Sequence, residues 1–576
     1  MKNFYIVRVI SEFISILNIT LNLSHKKKYF IILIFFSLFI LFLEGYSLSI
    51  VYDVSSKVVN KDFVSNNYFI NYFLNIFNNE SIFFSIILLF IFLFIKNIFQ
   101  TIFVIFKNYY LTSFQKFLSI KMINNFYNQD YKFFISKNSS EMTSVMLQDI
   151  SLFMRCFTSV LNLLIEKMLL IFILGYLLIM NFYVGVIFVI SMFAYFLIYF
   201  LFTKKKLVFL GKQRSILNEG IIRNLNESFG NFREMIIYNC KNFFLENISV
   251  KYSLFFYNLF SYNIYQQTSK ILIEQIFIIA IIIIFSFLLL TNSNAEFESF
   301  VPLLAVYLFA FLRILPSFNK IIMDFQSYIF HKLFVNKLNN QLKTIETKKF
   351  EKENINFVNS LEFKNVYYKF DNAENYIITN FNLIIEKSSK IGIIGKSGSG
   401  KTTFLNLLMG FINPTKGKII VDGKNIKNSL ENFRDNIAFV SQSTYLLDDS
   451  LIKNICFEED RNKLDFELLK KALIISGLKN FVDKLPDGIN TKLGERGSKI
   501  SGGEILRVAL ARAVYSNKEL YVLDEFTSAI DDETEGQILE NIKKLDKTII
   551  IVSHKDSTLK YCDNIYKIDQ TNLKKL

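Results

Sequence analysis

A chain of 576 residues is too long for one hydrophobic core, so two or more domains are expected. Its hydrophobic content of 52%, with 65 phenylalanines, is seldom reached by soluble proteins and marks a membrane protein. Much of the net charge of +15 lies in short Lys clusters beside apolar runs, which argues against nucleic acid as a partner, and four scattered cysteines without a C-x-x-C pair indicate neither a disulfide framework nor a zinc site.

Residues 1–28 open with an apolar-periodic run (Phe4, Ile6, Val7, Ile10, Phe13, Ile14, Leu17) interrupted by Arg8 and Glu12. A cleavable signal peptide needs an uncharged apolar centre and a small-residue cleavage site, so an interfacial helix on the cytoplasmic surface fits better. Six apolar stretches follow, near 29–52, 81–106, 157–180, 182–202, 271–291 and 300–320. Each has about the 20 residues needed to cross a hydrocarbon core of about 30 Å. Lys26 to Lys28 and Lys204 to Lys206 place those loops inside, and Thr291 to Ser299, with only Glu296 and Glu298, lies outside. Little more than Asn181 joins the third and fourth spans, which predicts a tight external hairpin. The long polar connections at 107–156 and 203–270 predict that spans two to five continue as helices into the cytosol. Helices near Tyr131 to Ser139 and near Asn224 to Glu234 are expected within them. In the external segment 53–80, Tyr68 to Phe77 reads as a short amphipathic helix with Asn71 and Asn75 on one face, or equally as a loop or core segment.

Residues 337–358 are charged and read as a linker between a helical membrane domain (1–336) and a soluble α/β domain (359–576). Glycine usage supports the division: of 20 glycines, 14 lie after residue 359. The soluble part opens on Ile391 to Thr403, IGIIGKSGSGKTT, whose Gly395 to Thr402 fits G-x-x-x-x-G-K-[ST]. Gly395, Lys396, Ser397, Gly398, Ser399 and Gly400 let the backbone wrap an anion. Lys401 adds charge, the Thr402 hydroxyl can reach Mg²⁺, and Thr403 continues the helix. Leu520 to Glu525 is an apolar strand ending in two carboxylates: Asp524 suits a metal shell and Glu525 suits activation of water.

Between these motifs stands Ile500-Ser501-Gly502-Gly503-Glu504, and here the sequence resembles the ATP-binding cassette family, whose signature is L-S-G-G-Q. The resemblance implies ATP and Mg²⁺ as cofactors. It also implies a dimer in which Ser501, Gly502 and Gly503 meet the γ-phosphate held by the other copy's phosphate loop. Glu504 replaces the usual Gln and is expected to face the ribose or the partner. Phe370 matches the aromatic that stacks on adenine, with Tyr368 as the competing position. Gln442 matches the residue that touches Mg²⁺ or water, and Gly494-Glu-Arg-Gly497 the exporter segment facing the membrane domain. Asp531, in Ser528-Ala-Ile-Asp531, matches the loop across the dimer interface, and His554 the histidine on the γ-phosphate. In this reading Lys401 and His554 stabilise phosphate charge, Thr402, Gln442 and Asp524 serve the metal, and Glu525 is the general base.

Six spans ahead of one such domain resemble the half-exporters of this family, which implies a polytopic α-helical exporter-type membrane domain plus an α/β P-loop domain. A homodimer in the bacterial inner membrane, with the nucleotide domain in the cytosol, is the expected assembly. Charges within the spans are costly and mark polar pathways. They are Glu44, Lys96, Glu166, Lys167, Lys270, Glu274 and Arg313. Lys270 and Glu274 are spaced for pairing with each other, and Lys96 and Arg313 are expected to share a level in a cavity. Glu44, Lys96, Lys270 and Leu312-Arg313-Ile-Leu-Pro316-Ser317 resemble bacterial flippases of undecaprenyl-pyrophosphate-linked oligosaccharides used in protein glycosylation. That resemblance implies a lipid-linked glycan substrate whose pyrophosphate meets Lys96, Lys270 and Arg313. The family usually carries Arg in the second and fifth spans, so lysine there keeps charge without bidentate geometry. An exporter of another lipid, a drug or a peptide is the alternative.

Overall fold

The computed structural model describes residues 27–59, 82–180, 182–291, 297–343, 355–370, 373–569 and 572–576. The expected N-terminal interfacial helix, the Tyr68 to Phe77 segment, the hairpin residue Asn181, most of the outer loop before Phe297 and residues 344–354 of the expected linker lie outside them. The chain divides into two compact units.

The first unit is helical: α1 (Lys27–Val59), α2 (Ile82–Tyr127), α3 (Tyr131–Ser136), α4 (Ser139–Ser144), α5 (Ile150–Met180), α6 (Phe182–Gly230), α7 (Phe232–Ile237), α8 (Lys241–Thr291) and α9 (Phe297–Lys343). Residues 130–133, which include the start of α3, group with the second unit. One π-helical turn, Val145–Asp149, joins α4 to α5. Six of these helical stretches are long and apolar enough to cross a membrane. At 1.5 Å per residue the 46 residues of α2 extend about 69 Å, more than twice a hydrocarbon core, so this helix continues beyond its span as the polar connections predict. Two boundaries differ from expectation. Asn224 to Gly230 belong to α6, and the separate short helix is Phe232–Ile237, with Asn231 between them as its N-cap. Helix α9 continues to Lys343, with Leu338 and Leu342 buried, so residues 337–343 are helix, where the sequence suggested a linker.

A core of Leu41, Leu48, Leu169, Ile173, Val306, Ala310 and Ile314 joins α1, α5 and α9. Close approach also depends on Gly211, where a Cβ on α6 would collide with the Phe330 carbonyl of α9.

The second unit contains two sheets. The first has the order β2-β1-β4-β5, from β1 (Ser360–Tyr368), β2 (Ile378–Glu386), β4 (Lys416–Val421) and β5 (Lys424–Asn425). The second has the order β10-β9-β3-β8-β7-β6, from β3 (Lys390–Ile394), β6 (Ile437–Val440), β7 (Leu520–Asp524), β8 (Thr548–Val552), β9 (Asn564–Asp569) and β10 (Asn572–Lys575). Strands β6 to β9 and β3 run parallel, and β10 is antiparallel to β9. Parallel strands covered on both faces read as unbroken apolar runs, and Thr548–Val552 is buried at every position. Four helices matter here: α10 (Lys401–Leu408), α11 (Phe466–Ile475), α12 (Gly502–Tyr515) and α13 (Asp532–Lys543). Ile355 and Phe357 are buried in the core of this unit, so its packing begins ahead of β1.

Candidate functional site

The register of the parallel sheet assembles the site. Ile393 of β3 and Asp524 of β7 both pair with Val552 of β8, so three strands end side by side. Their following loops carry Gly395 to Lys401, Glu525 and His554. A crevice beyond the carboxyl ends of parallel strands is where such sheets bind ligands.

The phosphate loop depends on its glycines at two points. Gly400 has φ of +100° and forms the N-cap of α10, and a Cβ at Gly395 would collide with Ser399 Oγ and lie 2.8 Å from the Ile568 carbonyl. The Ser399 hydroxyl is buried without a hydrogen-bond partner, a polar atom held ready inside an anion cradle. These features fit a bound nucleotide phosphate. Lys401 Nζ donates to the Gly395 carbonyl at 2.7 Å and the Lys396 carbonyl at 3.2 Å. Burial lowers its pKa, opposed by the nearby Glu525 and Asp524 carboxylates. Burial also raises the Asp524 pKa, helped by the like charge of Glu525 and opposed by Lys401.

Glu525 is held from both sides. Its Oε2 accepts from Gln442 Nε2 at 2.7 Å, and its Oε1 lies 3.1 Å from His554 Nε2. The same Nε2 lies 3.0 Å from Lys401 Nζ. One imidazole nitrogen can accept from the lysine or donate to the carboxylate, but not both at once. Lys401, Asp524, Glu525, Gln442 and His554 are therefore brought into one cluster. Glu525 has φ of +46°, a left-handed conformation unusual for a residue with a side chain, fixed by its amide donating to the Val552 carbonyl at 2.9 Å.

The other sequence candidates surround or flank this cluster. Thr402 lies exposed in the first turn of α10, followed by Thr403. Tyr368 packs against the sheet core, while Phe370 is 55% exposed and meets Tyr368 edge-on at 5.4 Å, which makes Phe370 the available aromatic face. Ser501 caps α12, Gly502 and Gly503 form its first turn, and a Cβ on Gly503 would meet the Ala529 carbonyl at 2.5 Å. Asp531 caps α13 by accepting from the Thr534 amide at 3.0 Å. Glu504 corrects the expectation made for it: its Oε2 accepts from the Ser501 amide at 2.7 Å, completing a capping box, and its Oε1 lies 3.9 Å from Arg507. The S-x-x-E spacing was the available signal.

In the membrane unit a cavity of about 220 Å³ opens among α1, α2, α5 and α9, lined by Lys107, Asn162, Glu166, Arg313, Ser317 and Lys320 among others. Lys320 pairs with Glu166, and Lys107 donates to Asn162 Oδ1 at 3.1 Å. Arg313 reaches the buried Glu44 at 2.5 Å, and Lys96 reaches the other oxygen of Glu44 at 3.1 Å. Lys96 and Arg313 thus share a level, but as two cations on one buried carboxylate, and of the two only Arg313 lines the cavity, so Lys96 does not stand in its wall as expected. Lys270 does not join them: it is 62% exposed, lies 4.0 Å from Glu274, and is absent from the cavity wall. Sequence reasoning missed Lys107 and Lys320 as cavity residues. Lys320 falls at the end of an apolar span, where a lysine ordinarily reads as a membrane-edge anchor.

The ABC transporter family matches residues 378–528. Among curated proteins the chain resembles the ATP-dependent lipid A-core flippase of Ralstonia nicotianae, 36% identical over 213 residues, covering 36% of each chain. It also resembles the lipid A-core flippase of Haemophilus influenzae strain 86-028NP, 36% identical over 219 residues and 37% of each chain. The alpha-hemolysin translocation ATP-binding protein of Escherichia coli O157:H7 is 38% identical over 212 residues, 36% of this chain and 30% of that one. These matches span only 30% to 37% of those relatives' length. A solved structure of a bacterial Atm1-family ABC exporter with ATP bound shares the fold over 96% of both chains, with a TM-score of 0.79 and 18% identity. Residues 378–528 therefore carry an ABC transporter domain, and the chain shares its fold with that exporter structure, six membrane-length helices among the described residues preceding the domain.

Proposed function

We propose that this protein is an ATP-driven exporter that works as a homodimer in the bacterial inner membrane and moves a lipid-linked oligosaccharide, of the undecaprenyl-pyrophosphate class, across it. The observation that carries the ATPase part is the convergence of Lys401, Asp524, Glu525, Gln442 and His554 at the carboxyl ends of the parallel strands. Glu525 is the general base that accepts a proton from the attacking water, the bond between the β- and γ-phosphates breaks, and ADP and phosphate leave. Lys401 and His554 neutralise charge on the transferred group, and Phe370 offers its face to adenine. Thr402, Asp524 and Gln442 would hold Mg²⁺, which when bound neutralises phosphate oxygens. Ser501, Gly502, Gly503 and Asp531 complete the site of a second copy, for which a helix N-terminus with free amides is suited.

A lipid-linked substrate is supported by the polar cavity, whose wall carries the cationic groups of Arg313, Lys107 and Lys320, and by relatives named as lipid A-core flippases. Charges placed within or beside a span mark polar routes, and although Arg313 and Lys320 are paired with Glu44 and Glu166 and Lys107 with Asn162, the three cations outnumber the one carboxylate, Glu166, that shares their cavity wall, which favours an anionic headgroup as cargo. The test is reconstitution in liposomes with a fluorescent lipid-linked oligosaccharide and ATP. Expected are transbilayer movement by the unaltered protein and, in Glu525→Gln, retained ATP binding with hydrolysis reduced by roughly 100-fold or more. Near-normal hydrolysis in Glu525→Gln would remove Glu525 from the base role. Hydrolysis stimulated by a peptide, a drug or another lipid, without movement of the labelled glycolipid, would replace the substrate assignment with that other cargo.

A further inference from the structure

Beside the cluster that faces the phosphate loop lies a second arrangement of charges that touches none of it. Glu535 stands in the first turn of α13, yet it is only 2% exposed. A carboxylate so buried is expensive unless both its oxygens are satisfied. Here they are: Oε2 accepts from Lys555 Nζ at 2.6 Å, and Oε1 accepts from the hydroxyl of the fully buried Thr558 at 2.6 Å. The Lys555 ammonium also donates to the Thr527 carbonyl at 3.2 Å. One cation thereby ties together three separate stretches of chain.

Each of those stretches leads directly to a residue of the site. Lys555 follows His554, Thr527 lies two residues after Glu525, and α13 begins at its cap Asp531. Glu525 needs such an anchor, because its φ of +46° is a conformation that residues with a side chain seldom adopt and that persists only where the surroundings impose it. Nothing else about a lysine at the edge of a loop requires a buried partner, since an exposed ammonium is content in water.

We propose that Lys555 and Glu535 are positioning residues that lock the His554 loop to the Glu525 loop, so that both side chains meet the γ-phosphate in register; this rests on the ATPase reading given above. They act through His554 and Glu525 and touch no nucleotide themselves. Loss of the lock misaligns the reacting groups while leaving the phosphate loop and Phe370 intact. Turnover therefore falls and nucleotide binding does not.

The test uses the full-length protein in lipid nanodiscs, with kcat and KM for ATP hydrolysis, ATP affinity and the unfolding temperature measured together. Lys555→Met and Glu535→Gln are expected to lower kcat about tenfold or more with KM and ATP affinity within about threefold of the unaltered protein. Lys555→Arg, which keeps the cation, is expected to stay within about threefold in kcat. If Lys555→Met fails to fold, Glu535→Gln, which preserves shape, decides by the same split. A kcat within about threefold of normal in Glu535→Gln overturns the proposal, as does a parallel fall of kcat, ATP affinity and unfolding temperature that Lys555→Arg fails to rescue. Absence of hydrolysis by the unaltered chain removes the ATPase reading and this inference with it, whereas normal hydrolysis by Lys555→Met and Glu535→Gln removes the inference alone.

Discussion

Replacing Glu44 by Gln should be the most damaging single change of charge in the membrane domain. The carboxylate is fully buried and lies 3.1 Å from Lys96 Nζ and 2.5 Å from Arg313 Nε. At an effective dielectric constant near 20, each of these contacts amounts to roughly 5–7 kcal/mol of attraction, most of which offsets the desolvation of the three groups. Gln removes the attraction and keeps the desolvation. Lys96, with 6% of its side chain exposed, has no route to water, whereas Arg313 at 26% retains partial access, so stranded Lys96 sets the size of the effect. Breaking a buried pair in this way costs about 3–5 kcal/mol, and for a chain of this size that corresponds to a fall in unfolding temperature of roughly 2–4 °C. Tryptophan-free proteins can be followed by tyrosine fluorescence or by light scattering of the purified protein in detergent. The double variant Glu44→Gln with Lys96→Met should recover at least about half of the loss, because the stranded cation is gone. Unfolding of Glu44→Gln within about 1 °C of the unaltered protein, or no recovery in the double variant, would refute the reasoning.

Gly503→Ala should lower ATP hydrolysis by about tenfold or more in a phosphate-release assay, because its new methyl would meet the Ala529 carbonyl and push α12 away from the Asp524 to Asp531 segment. Asp422 supplies a pH signature. Burial raises its pKa, but the amides of Val358, Ser360 and Asn359 outweigh that, and the net shift is downward. A depressed acid stabilises the fold fully above its unfolded value of about 3.9 and loses that contribution as pH falls through its folded value. Chemical denaturation of the protein should accordingly show that Asp422→Asn is destabilised at pH 7, with the difference shrinking below about pH 4.

What could be read in the sequence was whatever a few adjacent residues encode. Gly395 to Thr402 dictates a loop and a helix start by itself, and Leu520 to Glu525 is a buried strand with its carboxylates at the tip, so both sides of the nucleotide cluster are legible in the residues alone. Charge partners were less legible, because helix rotation is set by packing. Glu44, Lys96 and Arg313 could be named as buried charges, but their convergence on one carboxylate depends on how α1, α2 and α9 face each other. Lys270 and Glu274, four residues apart on one helix, were readable as a pair from spacing alone. Lys555 and Glu535 lie 20 residues apart on different elements and carry no local signature at all. Glu504 was a different kind of miss, since the pattern that explains its contact with Ser501 was present but competed with a functional reading.

Pro316 lies inside α9 and lines the polar cavity, between the two cations Arg313 and Lys320. Having no amide hydrogen, it leaves the Leu312 carbonyl without the donor one turn along, and a helix missing such a rung is compliant at that point. In mechanical terms the last long helix is a jointed strut. Arg313 is fastened to α1 through Glu44 on one side of the joint, and Lys320 to α5 through Glu166 on the other. The two ion pairs act as stops, so any bending of this helix must load one of them first.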